Sequence, residues 1–89
     1  MFMEAQYYIL INTRNMNAIN GNDTFMGFVI QKLYRHYHNK SIQKPDVEQL
    51  DKICGISLNV FNDDFFLVKS QKRTSVDTTI EYLLEDTTT

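Results

Sequence analysis

Apolar residues recur along this chain with two different periods. Gln6 to Asn12, QYYILIN, is a short run of aromatic and β-branched types, and its length and composition predict a strand. Both parities are apolar, with Tyr7, Ile9 and Ile11 on one face and Tyr8 and Leu10 on the other. That is the pattern of a strand covered on both sides. After an asparagine-rich stretch, NTRNMNAINGND, read as loop because Asn and Gly favour turns, the period lengthens. Met26, Val29, Ile30, Leu33 and Tyr37 fall at i, i+3, i+4, i+7 and i+11, one stripe of a long amphipathic helix for which Asp23 is the expected N-cap.

A second, shorter helix is expected within SIQKPDVEQLDKICG. Pro45 suits the first helical position, Asp46 and Glu48 the first turn, and Gly55 the position just past the end. Val47, Leu50, Ile53 and Cys54 would form its buried edge. ISLNVFNDDFFLVKS then reads as two extended runs around Asn62-Asp63-Asp64, a hairpin loop. Its second run, Phe65 to Val68, is again apolar on both parities. Residues 75–86 fit either a helix, with Val76, Ile80, Leu83 and Leu84 on one face, or a fourth strand. The helix formers in IEYLLED tilt the balance to helix. The expected fold is therefore α+β, in the order β-α-α-β-β-α, with a short, mostly antiparallel sheet packed by one long helix.

The 89 residues suit one domain, spanning 1–89, and an apolar content of 43% is enough for a packed core. A net charge of −2 argues against wholesale binding to nucleic acid or anionic membrane. The charge is unevenly spread. No acid lies between Asp23 and Asp46, where Lys32, Arg35, Lys40 and Lys44 fall, while Asp77, Glu81, Glu85 and Asp86 follow without a base. One cysteine, no basic leader and an apolar run at Tyr7–Ile11 too short to cross a bilayer point to a cytoplasmic protein without membrane attachment. Abundant Asn, Ile, Lys and Tyr hint at an AT-rich coding sequence of viral or mobile-element origin.

Motif chemistry is sparse. Leu50, Gly55, Ile56 and Ser57 in QLDKICGIS match the turn of a helix-turn-helix. Asp51, however, sits where that motif needs a small residue, and the following SLNVFNDDFF offers Asp63 and Asp64 to phosphate and no base. A helix end followed by a strand fits better. His36 and His38, two apart on a helix, point about 200° away from each other and cannot share a metal there. Cys54 lacks a base and reads as a core residue. Asp63 and Asp64 read as turn residues. No phosphate loop, dinucleotide glycine pattern or catalytic triad signature is present, so neither an enzyme nor a cofactor or metal is expected.

What remains is surface. Two strands apolar on both faces need more cover than one long helix, one short helix and one ambiguous segment provide. Phe28, among Gln31, Lys32 and Arg35 on the side opposite the main stripe, has the composition of an interface anchor. Tyr7, Tyr8, Phe61 and Phe66 are further candidates for contact with a partner. The expectation is a protein-binding regulator or inhibitor acting by occupying a surface, with a homodimer favoured. The competing classes are a nucleic-acid-binding regulator using Lys32, Arg35, Lys40, Lys44, Lys69, Lys72 and Arg73, and an oligomeric small-ligand binder.

Overall fold

The sheet is built around the first predicted strand, β1 (Tyr7–Asn12). In the computed structural model, which describes residues 7–56, 64–70 and 80–85, β1 pairs antiparallel on both sides. One partner is β2 (Ala18–Asn22) and the other is β3 (Phe65–Ser70), giving the order β2-β1-β3. Leu10 is opposite Ile19 on one side and Leu67 on the other; Tyr8 is opposite Gly21 and Lys69. Side chains alternate across a strand. Tyr8, Leu10 and Asn12 therefore share a face with Ile19, Gly21, Phe65 and Leu67, and all of these are buried.

β2 corrects the expectation of a loop through residues 12–23. Local preference for turns is real at Thr13–Asn17, where Met16 takes a left-handed φ of 63° and its N–H donates to the Asn12 carbonyl. Beyond it, pairing with a strand already fixed at the centre overrides the turn tendency of Asn20 and Asn22. Only Ile19 and Gly21 need to face inward, so asparagine on the outward parity costs the core nothing. Gly21 is required because the Phe25 ring occupies the space a Cβ would fill.

α1 (Asp23–His38) follows directly. Its N-cap is Asn22, not Asp23: the Asn22 side chain accepts the Phe25 N–H, and Asp23 becomes a first-turn acid at the positive end of the helix. Met26, Val29, Ile30 and Leu33 are buried as their spacing predicts, while Tyr37, the last of the stripe, is exposed and meets Phe65 edge-on at 6.1 Å. Asn39 ends the helix in a left-handed conformation, φ 54°.

α2 (Val47–Ile53) begins two residues later than expected. Asp46 is its N-cap and forms a capping box with Gln49, each side chain accepting the other's backbone N–H, so Pro45 stands before the helix rather than in its first turn. Gly55, φ 81°, takes the expected position past the end. Leu50 is buried and Ile53 and Cys54 are half-buried, but Val47 is exposed. α3 (Ile80–Leu83) makes the described part of the C-terminal segment helical and buries Leu83.

The described order is thus β-β-α-α-β-α, an α+β fold with a three-stranded antiparallel sheet. Of the first extended run and hairpin loop expected over residues 56–64, residues 57–63 lie outside the described residues, as do residues 71–79 ahead of α3. The core joins one face of the sheet to α1, α2 and α3 through Tyr8, Leu10, Ile30, Leu33, Leu50 and Leu83. No buried side-chain nitrogen or oxygen among the described residues lacks a hydrogen-bond partner.

Candidate functional site

α1 presents two stripes. The first, centred on Met26, Ile30 and Leu33, faces the core. The second consists of Phe25, Phe28, Val29, Lys32 and His36, at i, i+3, i+4, i+7 and i+11, the same spacing rotated by roughly 100° about the helix axis. Against this second stripe lies a groove of about 710 Å³. Ile19 of β2 and Val29 form its buried floor, Phe25 and Phe28 rise along α1, and Ile80 and Glu81 of α3 close the far side. Lys32 and His36 sit on the α1 bank.

Local interactions hold both banks in place. Phe28 is 48% exposed, and the Lys44 ammonium lies 4.6 Å from its ring centroid. The segment carrying Lys44 is itself fixed to α1. The Gln31 side chain donates to the Ile42 carbonyl, and Gly27 lets the Pro45 carbonyl approach so closely that a Cβ would stand 2.6 Å from it. On the other bank, the β1–β2 turn grips α3. Asn12 and Asn15 donate to the Leu83 carbonyl, Asn15 also to that of Glu85, and Asn17 to that of Tyr82. These amides donate to carbonyls at the C-terminal end of α3, where intrahelical partners run out; the Tyr82 carbonyl also accepts the Glu85 N–H. That is the role of the clustered asparagines.

A polar cluster lies elsewhere, between α2 and the sheet. The Tyr8 hydroxyl donates to Asp51 at 2.7 Å, and the Lys69 ammonium stands 3.1 Å from the same carboxylate. The hydrogen bond from Tyr8, then the Lys69 ammonium, hold the Asp51 carboxyl below its ordinary value. Burial, and after it the Asp51 contact, push the Tyr8 hydroxyl well above its ordinary value. Burial likewise raises the thiol of Cys54, with Asp51 adding to the effect. Both shifts keep the proton on and run against nucleophilic use. The cluster ties α2 to the sheet.

The residues expected to contact a partner are therefore divided. Phe28, Lys32 and Arg35 are exposed on α1; Phe28 and Lys32 line the groove, and Arg35 lies one row outside it. Gln31 is half-buried and committed to Ile42. Tyr8 is corrected: it is fully buried in the core, its hydroxyl committed to Asp51, and it presents nothing to a partner. Tyr7 and Phe66 are half-buried on the opposite face of the sheet, and Phe61 lies outside the described residues. Of the basic residues expected for nucleic acid, Lys40 is exposed, Lys44 covers Phe28 and Lys69 pairs with Asp51, while Lys72 and Arg73 lie outside the described residues. Asp64 pins the β1–β2 turn through its carbonyl, which accepts from Thr13.

The sequence reading passed over Phe25, His36, Ile80 and Glu81, although the second stripe was visible in the same helix by the same spacing. His36 meets Tyr37 edge-on and His38 meets Tyr34, so the two histidines have separate neighbours. Among the described residues, no group of three His, Cys, Asp or Glu could hold a metal ion, and no helix is long and apolar enough to cross a membrane. Compared with known proteins, the chain matches no family model, no curated protein and no solved structure.

Proposed function

We propose that this chain is a small protein-binding regulator that acts by occupying a partner's surface. One observation carries the reading. Among the described Tyr and Phe side chains only Tyr8 and Phe65 are buried and Tyr34 packs against the core, whereas Phe25, Phe28, Tyr37 and Tyr82 are exposed. Exposed aromatic side chains gathered beside cations are the composition of an interface rather than of an ordinary solvated surface. In this reading the protein works in the cytoplasm, its aromatic anchors supply affinity, and the basic flank of α1 steers it toward an acidic target. The test is affinity capture with the immobilised chain beside its Phe28→Ala variant. A protein retained by the first and lost from the second supports the reading; equal retention by both, or none by either, defeats it.

Self-association belongs to the same reading and rests on a different surface. Tyr7, Ile9 and Ile11 of β1, Ala18 of β2, and Phe66 and Val68 of β3 share the second face of the sheet. None of them belongs to the core or to the partly buried residues packed against it. None is charged, so two copies could meet face to face across a symmetric axis without stripping water from an ion at these positions. The nucleic-acid reading is weaker, because Lys69 already faces Asp51 and Glu81 stands at the groove's lip. No gel shift at low salt, where such binding is strongest, would remove it.

A further inference from the structure

We propose that the groove between α1 and α3 takes a partner's amphipathic helix of about three turns, with an apolar seam and carboxylates along the flank that meets Lys32 and Arg35. This rests on the protein-binding reading and specifies its partner. The first argument is shape. Phe25, Phe28, Val29, Lys32 and His36 line one side of the groove at the repeat of a helix surface, and the rise from residue 25 to 36 is about 16 Å. Such a stripe of ridges receives the ridges of another helix laid alongside it.

The second argument is preorganisation. Phe28 is held by Lys44 on the side away from the groove, and Ile80 is held through the asparagine clamp on α3, so neither bank has to be assembled on binding.

The third is charge. Lys32 and Arg35 are exposed and form no ion pair among the described residues, and no acid lies between Asp23 and Asp46 in the chain to neutralise them. A partner helix with Asp or Glu on that flank supplies the missing charge, and one base on its other flank would face Glu81. The same distribution argues against a second copy as the occupant. Its own α1 is basic from Lys32 onward and would set cation against cation.

The experiment selects a display library of twelve-residue helical peptides on the full-length chain. Enriched peptides are expected to place apolar residues at i, i+3 or i+4, and i+7, with acids on one flank. Phe28→Ala and Lys32→Glu, both at exposed positions, should each weaken binding about tenfold or more. Reversing the peptide's acids to lysine should restore affinity for Lys32→Glu. Peptides without the acidic flank, or indifferent to both substitutions, overturn the assignment. If their binding is lost instead on Val68→Glu, the groove is excluded while the protein-binding reading stands. No enrichment at all, with sodium laurate shifting the Phe25 and Ile80 resonances, replaces a helical partner by a small amphiphile.

Discussion

Gly27 sits inside α1, where alanine would ordinarily stabilise a helix by about 1 kcal/mol. Here the added methyl would meet the Pro45 carbonyl oxygen at 2.6 Å and Lys44 at 2.9 Å. Backbone cannot yield as a side chain does, so crowding should outweigh propensity. Gly27→Ala is expected to lose about 1–2 kcal/mol in urea denaturation. Tyr8 and Asp51 give a second residue-scale prediction. Asp51 contributes stability that is present above the ordinary carboxylate value near 4 and lost as pH falls through its lowered one. Tyr8 contributes stability that is present below its ordinary value near 10 and lost as pH rises beyond it. The melting gap between the wild type and Tyr8→Phe should therefore be level from about pH 5 to 9 and narrow on either side of that window.

Elements differ in how much of them could be read from sequence. α1 was legible because its core stripe, Met26 to Leu33, repeats at helical spacing over several turns, and the signal accumulates with length. β1 and β3 were legible as short runs of aromatic and branched residues. β2 was not. AINGN carries a single large apolar residue, and it is a strand only because β1 offers a ladder beside it. The same dependence explains the groove. Five of its eight lining residues lay in the α1 pattern, but the other three, Ile19 and Ile80 and Glu81 of α3, come from elements whose placement no local pattern announces. α3 has four described helical residues and depends on the asparagine amides for its seat. Asn12→Ala removes a buried amide that donates to the Leu83 carbonyl and whose oxygen accepts the Arg14 N–H. Hydrogen exchange should then quicken at the Leu84 amide, which bonds to Ile80, while the α1 amides keep their protection.

For the molecule as a whole, the described aromatic side chains outside the core are arranged differently from the expectation: Tyr7 and Phe66 on the second face of the sheet are half-buried, while Phe25 and Phe28 on α1 are exposed. Every strand residue in the core belongs to one face of the sheet, and the aromatic excess is split between the second face and the groove beyond α1. Sedimentation equilibrium should find a dimer at high concentration, converted by Val68→Glu to a monomer with the same circular dichroism. A wild-type chain that stays monomeric throughout would remove self-association and leave the groove untouched.

The central position of β1 has one more consequence. Its partner on one side follows within a few residues, but the other is encoded more than fifty residues later. As synthesis proceeds, the hairpin and α1 can form early, while the far edge of β1 exposes unpaired amides and carbonyls until β3 emerges. Such an edge is a template for mispairing with a neighbouring nascent chain.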